Sequence, residues 1–308
     1  ILDCLCKELM HYGYDVETSG EEAIGLSAKK RVYVSMARTH EALDFLAEAE
    51  ARGAVVMNDP HAVVLCQNRR LLMSRLQREG LLTARECGEE KSATGYWIKK
   101  NRGYSEQADD VCYAANDDEL RQKMEAMRER GIDDIYVTPH IEGDLVKFYG
   151  VAGTDFFRTF YPGDDGQYKF SQEEVNGAPS HFPFDAESLQ RTIDRAALAV
   201  GLDFYGGDVV VDAEGKATLI DFNDWPSYSR CREEAARAMA LAVVGKVLQK
   251  GKRPLLPLGS HAGVRAIIFD YGGTLDTGGT HWGKQLWHAY RRQQVPVPEQ
   301  LFRAAYVH

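Results

Sequence analysis

Three side chains gathered by one strand pair carry the chemistry this sequence offers most clearly: Asp208, Asp221 and Asn223. They lie in YGGDVVVDAEGKATLIDFNDWPSY, residues 205–228. Residues 208–212 and 217–221 are rich in Val, Ile and Thr, and Ala213-Glu214-Gly215-Lys216 supplies a turn between them, so the segment reads as two β-strands. Side chains alternate along a strand, which puts Asp221 and Asn223 on one face with Phe222 opposite. Pairing with the preceding strand brings Asp208 beside them. Two carboxylates and an amide, completed by water and phosphate oxygens, is how Mg²⁺ is held when it accompanies a nucleotide. The plainer alternative is a surface hairpin whose Asp and Asn residues only end strands.

The elements around this pair alternate in the manner of an α/β chain. ILDCLCKELMHYGYDVE opens with an amphipathic helix, Leu2, Leu5 and Leu9 inward and Gly13 as its stop. Such a helix normally follows a strand and a glycine turn, so residues are expected ahead of Ile1. A strand at 31–36, a helix at 40–51 and a short strand at 54–57 predict a small parallel sheet covered by helices. Asn58-Asp59-Pro60 caps a helix start, and Leu71, Leu72, Leu76 and Gly80 describe a second helix and its end. Residues 96–100, YWIKK, read as a buried strand delivering Lys99, though a lysine at a strand edge can equally serve solubility. Residues 117–130 read as a helix with acidic residues first and basic residues last. Residues 135–141 follow as a strand bent or edged by Pro139. Further strands are expected at 142–151 and 154–161, a helix at 185–200 capped by Asp185, and a long helix at 231–250.

Composition bounds what the chain can meet. The 308 residues carry a formal charge of -9, with 44% hydrophobic and 27% charged residues, so the chain can bury a large core in two or three domains. The acidic balance argues against a nucleic-acid partner, and a nucleotide site in such a chain must concentrate its cations locally. No apolar run approaches the roughly 18 residues that span a bilayer. The six cysteines show no zinc-type pairs, Cys4 and Cys6 fit a helix face, and the scatter suits a reducing cytoplasm. The oligomeric state stays open, a homodimer among the options.

The strand pair ending in acid-x-Asn resembles the metal-binding core of the ATP-grasp family, and the motifs before it fall in the family's order. The resemblance implies an α/β (α+β) chain: a pre-ATP-grasp α/β domain at 1–83, then an ATP-grasp domain of two lobes at 84–250 with a hinge near 138–143. It makes Asp208, Asp221 and Asn223 the Mg²⁺ ligands, Asp standing at 221 where Glu is commoner. Lys99 takes a phosphate-contacting place, and residues 101–110 that of the glycine-rich flap, here holding only Gly103. Arg69 and Arg70 stand near a position where the family often has Lys. The backbone of Thr138, Pro139, His140 and Ile141 would meet the adenine edge, with His140 either packing against the base or catalytic. In EGDLVKFYGV, residues 142–151, Asp144 would accept from the ribose and Lys147 would face the β- and γ-phosphates, an outward strand lysine being the alternative. Ser227 and Arg230 would approach the acceptor. The activity implied is Mg²⁺- and ATP-dependent ligation: a small-molecule carboxylate becomes an acyl phosphate, which an amine or thiol then attacks. An ATP-grasp small-molecule kinase and a non-catalytic nucleotide-binding module are the alternatives. A basic acceptor site would favour the kinase, and the sequence reads as acidic there.

A second motif follows a Pro/Gly-punctuated linker at 251–263. VRAIIFDYGGTLDT is an apolar strand with Asp270 at its carboxyl end, then glycines and Thr274, a setting for nucleophilic attack on phosphorus. It resembles the first motif of the haloacid dehalogenase-like (HAD) phosphatases, implying that residues 264–308 start a Rossmannoid domain. Asp270 takes the nucleophile's place and the usual general acid is replaced by Gly272. The resemblance also implies a full sheet with a later lysine and further acidic residues that are not in these 308 residues, so phosphatase activity is not expected of them.

Overall fold

The structure is a computed structural model describing residues 1–24, 30–88, 91–104, 107–164 and 173–250, with residues 286, 287, 289–291, 298 and 302 beyond them. In chain order the elements are α1 (Leu2–His11), β1 (Val32–Val34), α2 (His40–Ala51), β2 (Val55–Met57), α3 (Pro60–Cys66) and α4 (Arg69–Arg78). Next come β3 (Tyr96–Lys100), β4 (Val111–Ala114), α5 (Asp117–Glu129), β5 (Ile135–Pro139), β6 (Asp144–Val151) and β7 (Phe157–Phe160). The last are α6 (Ala186–Val200), β8 (Phe204–Val211), β9 (Ala217–Asp224) and α7 (Arg232–Lys250).

Three sheets form among the described residues. β1 and β2 pair in parallel, β4-β3-β5 form an antiparallel sheet, and β7-β6-β8-β9 form a larger antiparallel one. Most elements fall where the side-chain periodicity predicts them. β4 is the exception: VCYA is too short to show alternation, and only its pairing with β3 reveals it. β5 is an edge strand ending at Pro139, as a proline without a backbone donor requires.

Burial explains the large sheet's two faces. Val146, Phe148, Val209, Leu219 and Phe222 point into one core with Leu72 and Leu76 of α4 and Ile193, Ala196 and Ala197 of α6. Lys147, Asp208, Asp221 and Asn223 alternate with them on the opposite face. Gly207 lets the strands close between those faces, since a Cβ there would stand 2.2 Å from the Asp221 carbonyl oxygen and 2.8 Å from the Phe148 ring. A second core joins Leu5 and Leu9 of α1, Val55 and Met57 of β2, Phe204, Trp225 and Tyr228, and Ala235, Met239 and Val243 of α7. Leu2, expected inward, is 43% exposed. The α1 stripe that packs narrows to Leu5 and Leu9.

Between β2 and α3 the chain reverses at Asn58, which has φ +59° although it is not glycine. Its side-chain carbonyl accepts from Asp203 N and Phe204 N, both at 2.8 Å, and its amide donates to Phe204 O at 3.0 Å. These bonds tie the parallel sheet to the start of β8. Asn58→Ala removes all three and keeps the left-handed backbone, so it should lower stability by about 3 kcal/mol in urea denaturation.

Candidate active site between the two antiparallel sheets

A cleft of about 760 Å³ lies between the two antiparallel sheets, with Trp97, Lys99 and Val111 on one wall and Leu145, Lys147, Asp208, Ile220, Asp221 and Asn223 on the other. Register builds its floor. Lys147 of β6 pairs across with Asp208 of β8, and Asp208 with Asp221 of β9, so three charged side chains stand in a row over three strands. Lys147 Nζ donates to both oxygens of Asp208, at 3.2 and 3.3 Å. Asn223 donates its amide N–H to Asp221 Oδ2 at 2.9 Å, which fixes the two on one face. The ladder shifts register just after Asp208, between Asp208 and Val209.

Two cations cross to this row from elsewhere. Arg69 is the first residue of α4, positioned by the Asn68 cap, whose side chain accepts from Leu71 N. Its Nη1 donates to Asp221 Oδ1 and its Nε to Lys100 O at 3.2 Å, so it touches both walls. Lys99 is 6% exposed and donates to Ile220 O at 2.8 Å. Burial pulls the Lys99 ammonium down to about 8, against the raising influence of Asp221. Burial also pushes Asp221 upward, but the Arg69 and Lys99 charges and the Asn223 and Arg69 hydrogen bonds outweigh it and hold the carboxyl well below the usual range.

Asp208, Asp221 and Asn223 fit Mg²⁺ in kind. No group of three or more His, Cys, Asp or Glu among the described residues is placed to hold a metal. Two facing carboxylates and an amide are instead the composition that leaves remaining positions to water and phosphate. Lys147 and Arg69 pair with these carboxylates and balance their charge.

At the other end Asp224 is buried, with Arg38 Nη2 3.5 Å from Oδ2 and the Tyr104 hydroxyl donating to Oδ1 at 3.3 Å. The Arg38 guanidinium lies 3.3 Å from the Tyr104 ring centroid. Burial raises the Asp224 carboxyl while Arg38 opposes it. Trp225, Pro226, Ser227, Ser229 and Arg230 line this end from a loop in which Trp225 and the inward-facing Tyr228 have φ of +44° and +49°. The buried Tyr228 hydroxyl donates to Gly150 O at 2.8 Å and Tyr205 O at 3.2 Å, which anchors the strained turn. Trp225 Nε1 is buried with no hydrogen-bond partner among the described residues.

Lys99, Lys147, Asp208, Asp221, Asn223, Ser227 and Arg230 thus share one cleft. Thr138, Pro139, His140 and Ile141 are not among its lining residues. His140 is drawn instead into an aromatic cluster: Trp97 Nε1 donates to its Nδ1 at 3.1 Å, its N–H to Gly95 O, and burial lowers its ring pKa. Asp144 is also elsewhere. It is 4% exposed and its oxygens accept from Ser180 N at 2.7 Å and Phe182 N at 2.8 Å, so it closes a loop rather than facing the cleft. The expected acidic character is reversed, since Arg38, Arg69, Lys99, Lys147 and Arg230 line the cleft against Asp208, Asp221 and Asp224. In the flap, Gly103 has φ +74° and its N–H donates to Gln67 O at 2.8 Å. Asp270 and Thr274 lie outside the described residues. Arg38 and Tyr104 were not singled out by sequence. The available signal for Arg38 was its place just past the carboxyl end of β1, where open α/β sheets receive ligands.

No protein-family model matches the chain and no curated protein matches it. Among solved structures, the biotin carboxylase domain of 2-oxoglutarate carboxylase from Hydrogenobacter thermophilus, in complex with MgADP, ADP and bicarbonate, aligns with TM-score 0.50 and 15% identity. The alignment covers 73% of this chain and 55% of that one. The D-alanine-D-alanine ligase from Coxiella burnetii gives 0.49 and 12% over 72% and 71% of the two chains. The ATP-grasp ligase PsnB complexed with minimal precursor gives 0.49 and 13% over 80% and 95%. The biotin carboxylase likeness shows a shared mixed α/β fold, and the neighbours include an ATP-grasp ligase. No helix among the described residues is long and apolar enough to cross a membrane.

Lys99 also gives a pH signature. Its folded value lies below the unfolded 10.5, so the unfolded chain binds more protons between about pH 8 and 10.5 and the lysine's destabilising contribution fades as pH rises through that window. Lys99→Met should therefore raise stability by about 3 kcal/mol or less at pH 7, and the gain should shrink toward pH 10 in paired urea titrations.

Proposed function

We propose that the chain is a Mg²⁺- and ATP-dependent ligase that activates a small-molecule carboxylate as an acyl phosphate for attack by an amine or thiol. One observation carries this reading: Lys99, Lys147 and Arg69 surround the Asp208, Asp221 and Asn223 set in a single cleft between two antiparallel sheets. In an acidic chain such a concentration of cations marks a place for phosphate. Phosphoryl transfer needs positioning and charge stabilisation more than covalent help from the protein, and these side chains supply both. The carboxylate oxygen attacks the γ-phosphorus, the bond to the β,γ-bridging oxygen breaks and ADP departs. The amine or thiol then attacks the acyl carbon, the bond from that carbon to the phosphate oxygen breaks, and the nucleophile's proton passes to the departing phosphate or to solvent. Asp208, Asp221 and Asn223 would hold Mg²⁺, which when bound neutralises charge on the β- and γ-phosphates. Lys99 and Lys147 place two ammonium groups beside that charge. Ser227 and Arg230, which line the same cleft, would approach the acceptor.

A kinase reading has one observation in its favour, the cationic rather than acidic acceptor end. A cytoplasmic setting, the domain boundaries at 83 and 250 and a HAD-like start after residue 263, with Asp270 at the nucleophile's position and no phosphatase activity expected of these residues, belong to the same proposal, and their support is the sequence alone. The test is Asp221→Asn and Asp208→Asn, with ADP release measured against a panel of carboxylates and amines. Each variant should lose ATP turnover by about a hundredfold or more while keeping the circular dichroism of a folded chain. Unchanged turnover would refute the assignment. Phosphorylated acceptor without an amide or thioester product would select the kinase.

A further inference from the structure

We propose that Asn101 and Asp134 are positioning residues for phosphoryl transfer: from outside the cleft they set the first turn of α4 so that Arg69 meets Asp221. This rests on the ligase reading, which gives Asp221 its place beside the phosphates. Neither Asn101 nor Asp134 is among the residues lining the cleft. Both stand where the small antiparallel sheet meets α4, Asn101 directly after the end of β3 and Asp134 directly before the start of β5. A helix leaves its first N–H groups without partners of its own. At α4 Asn101 takes two of them: its main-chain O accepts from Arg69 N at 3.1 Å and its Oδ1 from Arg70 N at 2.9 Å. Asn68 takes the next two, Leu71 N through its side chain and Leu72 N through its carbonyl. Asn101 is 1% exposed and turns its donors to Asp134, the amide Nδ2 to Oδ2 and the backbone N to O, both at 2.9 Å. A buried amide satisfied on both sides gives the start of α4 one place relative to β3 and β5.

The two adjacent arginines then divide in direction. Arg70 is committed away from the cleft: its Nη1 donates to Asp134 Oδ1 at 2.9 Å, its Nε and Nη2 to the Glu86 carboxylate at 2.7 Å, and Nη2 also to Ile135 O at 3.0 Å. Arg102 Nε adds a further donor to Asp134 at 2.8 Å. With its neighbour anchored to the small sheet, Arg69 goes the other way, its Nε to Lys100 O at 3.2 Å and its Nη1 to Asp221 Oδ1. The Arg69 side chain is 14% exposed, so solvent screens its charge poorly and its place relative to Asp221 matters. A shift of about 1 Å in a group that balances charge at a reacting centre can cost on the order of a hundredfold in rate. Asn101 and Asp134 prevent that shift without touching the nucleotide.

The test begins with Asn101→Asp in the full chain, which keeps an acceptor for Arg70 N and turns a carboxylate against Asp134. ADP release with the panel of carboxylates and amines should fall in kcat by about tenfold or more, with the KM for ATP changed by less than about threefold. Adding Asp134→Asn reverses the polarity of the pair, a carboxylate at one position and an amide at the other, and should return most of the lost kcat. In an Arg69→Gln background Asn101→Asp should cost little further, because effects that act through one guanidinium do not add. Hydrogen exchange of the ligand-free chain gives a readout without turnover: the amides of residues 69–72 should lose about tenfold in protection in Asn101→Asp and regain it in the exchanged pair. Unchanged kcat in Asn101→Asp, a full further loss in the Arg69→Gln background, or protection lost across the whole chain and unmended by the exchange would each overturn the proposal. Absence of ATP turnover in the unaltered chain would sink the ligase reading and this inference together, whereas turnover that Asn101→Asp leaves intact would sink this inference alone.

Discussion

Two aspartates facing each other on adjacent strands repel, and the organisation of this protein follows from how that repulsion is answered. Asp208 and Asp221 are register partners on a half-buried face, where water screens them poorly. Lys147 supplies one counter-charge from within the same sheet and Arg69 the other from the first turn of α4. Removing either cation would leave a carboxylate without compensation in a place that does not tolerate it. The sheet, the helix start and the cap that aims it are therefore held to one geometry by electrostatics as well as by packing. Lys99 belongs to the same balance. Its ammonium tolerates burial because carboxylates lie near, and it reaches across the cleft to a main-chain carbonyl of the facing sheet.

The opposite end solves a different problem. Positive φ at Trp225 and Tyr228 is uncomfortable for aromatic residues, and the turn persists because Tyr228 is buried and doubly hydrogen-bonded. The stability of the second core is thus used to hold Ser227 and Arg230 in a fixed place at the cleft. Arg38 arrives there from beyond the parallel sheet, so this end of the cleft draws on parts of the chain nearly 200 residues apart.

Local pattern made much of this legible. The alternation in residues 217–224 placed Asp221 and Asn223 together, and the apolar period of residues 186–200 with Asp185 before it marked α6 and its cap, whose side chain accepts from Ser188 N. What stayed hidden depends on tertiary contact. VCYA carries no readable alternation in four residues, and its identity as a strand comes from β3. Asp144 looks available in sequence because nothing local shows that the amides of Ser180 and Phe182 will reach it. His140 is likewise claimed by Trp97, a partner more than 40 residues earlier. The cationic character of the cleft could not be read from net charge, since a total of -9 says nothing about where five cations gather.

The apolar interiors divide unevenly, and this has a mechanical consequence. Tyr96, Ile98, Cys112, Ala114, Met127, Ile135 and Val137 form a nucleus of their own inside the β4-β3-β5 sheet and α5. By contrast α1, β2, the start of β8, the turn at Trp225 and α7 share one interior. The smaller body is joined to the rest by one aromatic side chain, Tyr136 of β5, which lies in the core of the large sheet, and by Lys99 and Arg69, whose hydrogen bonds cross the cleft. Any change in the spacing of the two sheets must therefore break polar bonds and draw one ring out of an apolar interior.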